Sequence, residues 1–428
     1  MRVCRGCGCG CDDLQLEMMN DQPVRVMPVC ELAEKYYGNL AMSRPMTAEI
    51  GGQEVELEEA LTAAVELLNG AKTPVVYGLS GASLRGQKEA IAVADRIGAV
   101  LDVAGEAWSN GVTLAVQQTG HAGCTLGEIR ERADLVVFWG VDPVRTHPRF
   151  LSRFCAGVPL HGKRTLVVVD GLQNATRLQT PHFIPLKPSE QLDAILFLRG
   201  LCKERELSTA LADETRSGLV KLAECMKTCQ YGVICVGPGI LNEGEETSQA
   251  VSKAQQICMQ LSQLTTELNA VARFQWMPLG EAGGAEAVVN WQTGYPGHVL
   301  FASGHPIYMP SEYQLAALLD GQEVDACLML GDRAWENVAC SSRWQRQLSE
   351  IPTVALKTGR NAGSWQPAVC LPCAEPGVQT ANTLFRMDGI PLPQTALLPQ
   401  VLPSDAELLQ RILARLTLRL PANNSHKS

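Results

Sequence analysis

Residues 134–140 read Asp-Leu-Val-Val-Phe-Trp-Gly, and residues 165–170 read Thr-Leu-Val-Val-Val-Asp. Each is a short apolar run with no polar alternation, and a turn residue or an acid closes it. Such a run suits a strand buried on both faces and is short for a buried helix. Val141-Asp142-Pro143 supplies a turn directly after the first run. Working outward, similar runs recur at 74–78, 100–103, 231–236, 298–302, 326–330 and 353–356, with a short strand at 53–57. Helical apolar spacing lies between them at 58–68, 87–97, 126–132, 189–202, 247–269 and 404–418. Ser189 and Ser404 stand as N-cap candidates. The alternation predicts parallel α/β sheets covered by helices on both faces. The strands are too many for one simple sheet, so two α/β lobes are expected. The last six residues, NNSHKS, read as a polar tail.

The chain has 428 residues, of which 46% are hydrophobic and 19% charged. This supports large cores and rules out a disordered chain. Low charge also suits a subunit covered by partners. The net charge of −9 disfavours a nucleic-acid binder. No apolar run approaches the ~18 residues that span a bilayer. With no apolar leader before Cys4, a reducing, cytoplasmic setting is expected.

Five of the 16 cysteines fall within the first thirty residues: Cys4, Cys7, Cys9, Cys11 and Cys30. The spacing Cys4-x2-Cys7-x3-Cys11-x18-Cys30 offers four thiolates to a common centre. A 4Fe–4S cluster needs four such ligands. Tetrahedral zinc uses them too, though usually from two short knuckles. A glycine- and cysteine-rich loop without metal is the third reading. Gly6, Gly8 and Gly10 let the loop wrap closely, and Cys9 is an additional thiol expected to point away.

Beginning at Cys4-Arg5-Gly6-Cys7 and ending Cys11-Asp12-Asp13-Leu14, this opening resembles that of the B subunit of formylmethanofuran dehydrogenase. That family belongs to the molybdopterin oxidoreductases. The resemblance continues through Arg44-Pro45-Met46, Gly51-Gly52 and Glu58-Glu59-Ala60-Leu61. It includes residues 124–128 (CTLGE), Arg132-Ala133-Asp134, Trp139-Gly140-Val141-Asp142-Pro143, His147-Pro148-Arg149 and residues 291–296 (WQTGYP). Pro376-Gly377-Val378 and Phe385-Arg386-Met387-Asp388 resemble a motif that the superfamily carries near its pterin. The implied fold is molybdopterin-oxidoreductase-like: a cysteine module at 1–52 and two interleaved doubly wound α/β domains. The first runs over 53–150 and is completed by 290–400. The second runs over 151–289, and a C-terminal helix and tail follow at 401–428. The superfamily's barrel domain is absent, being carried on a separate polypeptide in this family.

One departure matters. In redox-active relatives a cysteine or selenocysteine before a helix of the type LALQxxG ligates molybdenum or tungsten. The matching stretch, 106–120 (EAWSNGVTLAVQQTG), has no cysteine, and Trp108 or Ser109 occupies that position. A thiolate is the soft anionic ligand such a metal prefers, and an indole cannot ligate it. The chain therefore looks like the non-redox, structural subunit of a formyltransferase/hydrolase complex. That assembly serves the tetrahydromethanopterin-linked oxidation of formaldehyde to formate. The resemblance implies three partners: an amidohydrolase-like hydrolase, a formyltransferase and a further small subunit. It also implies a methanofuran-type carrier. Two alternatives stand beside it. One is an active dehydrogenase component with molybdopterin guanine dinucleotide and molybdenum or tungsten. The other is an unrelated iron–sulfur interaction protein.

Other residues have a bland reading beside the functional one. Asp142 and Asp170 end strands where relatives hold the pterin dinucleotide, but capping explains such acids equally. Gly237-Pro238-Gly239 is weak evidence of phosphate binding. His121, His147 and His305 suit turns. Cys370-x2-Cys373 suits a chance pair. Residues 291–296 suit a contact with another subunit. Arg130, Arg132, Arg145, Arg149 and Arg153 form a basic stretch. Solvated helix faces explain most such runs. The functional reading gives Arg145 and Arg149 to the anionic tail of the carrier, by arginine–carboxylate pairing.

Overall fold

The computed structural model describes residues 2–19, 22–42, 46–103, 107–171, 174–205, 208–242, 247–331, 334, 342–359 and 366–417. Arg44, Pro45, Glu106 and the expected polar tail lie outside them.

Among the described residues the strands form four sheets. Asp134 opens the run that becomes the centre of a five-stranded, wholly parallel sheet. Its order is Arg273–Pro278, Tyr231–Val236, Leu135–Trp139, Thr165–Asp170 and His182–Pro185. The chain goes outward one way from Leu135–Trp139, then returns to build the other side. A crevice therefore opens beyond the carboxyl ends of Leu135–Trp139 and Tyr231–Val236.

Among the described residues the larger sheet has nine strands. Its parallel centre runs Val100–Asp102, Pro74–Tyr77, Ala326–Leu330, Thr353–Lys357 and Val369–Pro372. Antiparallel strands Val299–Leu300 and Ile307–Tyr308 extend one edge. Ala48–Ile50 and Gln53–Val55 extend the other. The chain leaves this sheet after Asp102, completes the five-stranded sheet, and comes back at Val299. The protein is a mixed α/β structure with parallel sheets.

Helices cover both faces because the strands are apolar on both. Leu57–Gly70, Leu84–Ile97 and Asp405–Leu413 pack on one face of the large sheet. Leu315–Asp320 and Ser342–Glu350 pack on the other. In the smaller sheet Leu135, Val137 and Trp139 face Ala107–Thr119, Gln191–Cys202, Asp213–Thr228 and Thr247–Leu268. Val136 and Phe138 face the opposite way. Their core contains Leu126, Phe150 and the N-terminal cysteines. The cysteine loop is therefore a piece of the core of the smaller sheet.

Local signals explain most boundaries. Ser404 forms a full capping box with Glu407. Ser189 instead lies inside a 3-10 turn, Pro188–Glu190, and the α-helix begins at Gln191. The strand expected at 298–302 shortens to Val299–Leu300. Strands Arg273–Pro278 and His182–Pro185 lack an unbroken apolar run because each lies at a sheet edge.

Candidate functional site

The cysteine loop is closed by its own backbone. The Cys4 amide donates to the Cys11 carbonyl at 2.8 Å, and Gly10 takes a positive φ of 50°. The Gly6 amide donates to Cys4 Sγ at 3.3 Å. A Cβ at Gly8 would lie 2.0 Å from the Gly280 carbonyl oxygen, so only glycine fits there. The Met387 amide donates to the Gly8 carbonyl at 3.2 Å, tying residues 385–388 to the loop.

Cys4, Cys7, Cys11 and Cys30 line one small cavity together with Leu14, Leu32, Ala33 and Arg149. Cys9 is fully buried and is not part of that lining. Burial pushes the Cys4 thiol up to about 12. Cys7 is brought down to about 7, chiefly by its hydrogen bond with Cys9, with help from Arg149 and Arg153. Burial raises Cys11 against the opposing pull of Arg153. Arg153 Nη1 is buried without a hydrogen-bond partner, 3.3 Å from Asp13 Oδ1. Among the described residues, no three His, Cys, Asp or Glu side chains converge closely enough to hold a single metal ion.

The acids after Cys11 anchor the loop. Arg149 donates to both oxygens of Asp13, at 2.7 and 2.6 Å. Arg153 donates to Asp12 at 2.7 Å. These pairs hold Asp13 below the usual carboxylate range, the Arg149 hydrogen bond first among the causes. Arg145 is different: its side chain is 67% exposed and lies 3.5 Å from Asp142.

Beside the cysteine cavity runs a cleft of about 900 Å³, whose walls include Arg5, Cys7, Trp108, Ser109, Arg145 and Glu286. The helix Ala107–Thr119 delivers Trp108 and Ser109 to it. Trp108 is only 6% exposed and belongs to the core cluster on its face of the smaller sheet. Glu286, on the helix Ala285–Thr293, accepts from Thr113 Oγ1 at 3.1 Å. Burial raises Glu286 above the usual carboxylate range.

Asp142 lies beyond the carboxyl end of Leu135–Trp139, and Asp170 is the last residue of the adjacent strand. Asp142 accepts from the amides of Ala175 (2.6 Å) and Thr176 (3.0 Å) and from Thr176 Oγ1 (2.6 Å). Asp170 accepts from the Gly171 amide and Asn174 Nδ2, both at 2.7 Å. The crevice loops close on each other: the Gly239 amide donates to the Gly140 carbonyl at 2.8 Å. That amide is therefore spent within the chain.

His147 is buried, with Nε2 3.0 Å from the Gly280 carbonyl and Nδ1 2.9 Å from Thr146 Oγ1. His121 Nε2 lies 2.9 Å from the Trp276 carbonyl, and its ring packs edge-on against Trp276. His305 is exposed and approaches the Ser303 carbonyl. Cys370 and Cys373 are both buried, at the strand Val369–Pro372 and just after it. Trp291 is 86% exposed, while Tyr295 stacks on Tyr308 with centroids 5.0 Å apart.

Sequence reasoning missed Asp12, Asp13 and Glu286 as site residues. The first two had a signal, because Arg149 and Arg153 are four residues apart and match an adjacent acidic pair. Glu286 had none, since its partner Thr113 lies 173 positions away.

No family model matches the chain. It is 27% identical to the B subunit of tungsten-containing formylmethanofuran dehydrogenase 2 from Methanocaldococcus jannaschii, over 96% of this chain and 97% of that protein. It is 26% identical to the B subunit of the formyltransferase/hydrolase complex Fhc from Methylorubrum extorquens, over 67% of this chain and 74% of that protein. The crystal structure of the formyltransferase/hydrolase complex FhcABCD from Methylorubrum extorquens, in complex with methylofuran, contains a chain of the same fold. Its TM-score is 0.71 and its sequence identity 22%, covering 86% of this chain and 98% of that one. The chain is thus a homologue of the B subunits of formylmethanofuran dehydrogenase and of the Fhc complex.

Proposed function

We propose that this chain is the non-redox B subunit of a formyltransferase/hydrolase complex, acting in the tetrahydromethanopterin-linked oxidation of formaldehyde to formate. The observation that carries the reading is Trp108. At the position where redox-active relatives place a thiolate, this chain carries Trp108, a buried indole, or Ser109 beside it, and neither is a thiol. An indole offers no lone pair to a soft metal. The chain's role is then to carry partners: an amidohydrolase-like hydrolase, a formyltransferase and a further small subunit, with a methanofuran-type carrier as substrate. The exposed Trp291 suits such a contact. A cytoplasmic setting is in keeping with this role, and no described helix is long and apolar enough to cross a membrane.

The finer fold reading is molybdopterin-oxidoreductase-like, with a cysteine module at 1–52 and α/β domains at 53–150 with 290–400 and at 151–289. A C-terminal helix and tail follow at 401–428. Asp142 and Asp170 mark a vestigial dinucleotide edge whose carboxylates now serve the protein's own backbone. Arg145 is the accessible candidate for the carrier's anionic tail, with Arg149 behind it and already paired to Asp13.

Cys4, Cys7, Cys11 and Cys30 are the residues that would hold a 4Fe–4S cluster. Four thiols line one cavity, the number of ligands that such a cluster takes. Such a group supplies one-electron chemistry when bound. Here its contribution is to cross-link a loop that is part of a core.

The test is co-expression with the two catalytic subunits. The expected result is one stable assembly that releases formate from a formylated carrier without any electron acceptor. An assembly that turns over only with a redox dye, or a chain that elutes alone, overturns the reading. Charge reversal at Arg145 should weaken use of the carrier, and unchanged turnover removes Arg145 from the proposal.

A further inference from the structure

Arg164 stands just before the strand Thr165–Asp170, and its guanidinium spends every donor it has. Such a group carries five N–H bonds in one rigid plane. Nε donates to the Ala133 carbonyl at 2.8 Å. Nη1 donates to the carbonyls of Cys155 at 2.5 Å and Gly157 at 2.9 Å. Nη2 donates to those of Ile129 at 3.0 Å and Arg130 at 2.7 Å. Ile129, Arg130 and Ala133 form the end of the helix Leu126–Arg132. Cys155 ends the short helical turn Leu151–Cys155, and Gly157 lies just past it. A cation at the carboxyl end of a helix is ordinary. One that also grips a second segment, through all of its donors, sets the distance and angle between the two.

Each of those segments holds the cysteine loop from a different side. The helix takes Asp388 on its first amide, Leu126, at 2.8 Å. Arg386 donates to both oxygens of the same acid, and the Met387 amide between them donates to the Gly8 carbonyl at 3.2 Å. On the other side Arg149 and Arg153, just before and within the turn Leu151–Cys155, hold Asp13 and Asp12. The contacts close a ring: Arg164, the helix, Asp388, Gly8, the loop, Asp12 and Asp13, the turn, and Arg164 again. Packing among Leu126, Ile129, Phe150 and Phe154 draws the helix and the turn together, but apolar burial has no direction. The planar fork supplies the direction.

We propose that Arg164 is the positioning residue of the four-thiol site: by locking the helix to the turn it sets where Cys4, Cys7 and Cys11 stand, although it lines neither the cysteine cavity nor the cleft. The link to metal rests on the reading of those thiols as cluster ligands, whereas the placement of the loop does not. Without the fork, the two grips shift against each other, and the loop between Gly8 and Asp12 takes up the slack. Cys30 lies outside the ring, so the thiols then lose their common centre.

The experiment uses the full chain, reduced and free of metal. Backbone hydrogen exchange is followed by mass spectrometry in wild type, Arg164→Met and Arg164→Lys. Leu222→Ala serves as the control, because it weakens the same sheet from its opposite face. Global stability comes from urea unfolding and is used to scale the rates. Arg164→Met should speed exchange in the peptides covering Cys4 and Met387 several-fold beyond what its global loss explains, and Leu222→Ala should not. Arg164→Lys keeps the charge but only three donors. It should shift the same peptides in the same sense, and it carries the test if the methionine variant does not fold. Loop exchange that keeps step with global stability in the Arg164 variants overturns the proposal. Separate reduced samples receive ferrous iron and sulfide, and iron per chain and visible absorption are read. If wild type takes up iron, Arg164→Met should hold several-fold less, and equal occupancy with the same spectrum overturns the role at the site. If wild type takes up none, the cluster reading fails, and the exchange result decides on Arg164 alone.

Discussion

Arg149 holds Asp13 through two parallel hydrogen bonds of 2.7 and 2.6 Å, across 136 positions of sequence. The acid belongs to the cysteine loop. The arginine follows the short helix Pro143–Thr146, just beyond the carboxyl end of the central strand of the smaller sheet. The pair therefore fixes the loop to the sheet.

Removing it should loosen that attachment. Because Asp13 is nearly half exposed, solvent screens the pair, and Arg149→Ala should cost about 1 kcal/mol in thermal or denaturant melts. The sign with pH is defined. Arg149 holds the Asp13 carboxyl below its ordinary 3.8, so the contribution is present above that pH and is lost as pH falls below it. Wild type and variant should converge in acid.

Trp108 should behave as core. It belongs to the cluster that includes Trp139, Leu261 and Trp276. Trp108→Ala should destabilise the protein by about 3–5 kcal/mol, measured by urea unfolding. A loss below about 1 kcal/mol would mean that the indole does not fill this site.

Glu286 should run the opposite way in pH. Burial raises its pKa, so its carboxyl is fully compatible with the fold below 4.5, its ordinary value, and increasingly unfavourable as pH rises through the folded-state value. Gln keeps an oxygen for Thr113 and carries no charge. Glu286→Gln should therefore melt higher than wild type at neutral pH, and the gap should close toward pH 4.5. The melts should be read with His298 intact, because that ring favours the carboxylate.

Asp142 should act as a structural acid. Asp142→Ala strips the hydrogen bonds from the Ala175 and Thr176 amides and the Thr176 hydroxyl. Charge-assisted bonds of this kind predict a loss of about 2–3 kcal/mol on unfolding. Guanine nucleotide should not raise the wild-type melting temperature, since the carboxylate is already occupied.

How far the sequence could be read follows from the physics of each element. Residues 134–140 and 165–170 were legible because strands covered on both faces must be apolar at every position. Arg273–Pro278 was not, because an edge strand begins on an arginine and carries Gln275 without penalty. Spacing alone nominated Cys4, Cys7, Cys11 and Cys30, and these four line one cavity. Their counter-charges were harder to see, since Asp12 and Asp13 find Arg153 and Arg149 only once the sheet is built. The contact between Gly8 and Gly280 is likewise invisible in sequence: it needs two distant loops to meet with no side chain between them.

The most direct test of the non-redox reading is the metal and nucleotide content of the intact complex, purified without oxidation. The account predicts no stoichiometric molybdenum or tungsten and no guanine nucleotide released on denaturation, whatever the iron content. One molybdenum or tungsten per chain, with guanine nucleotide beside it, would contradict it.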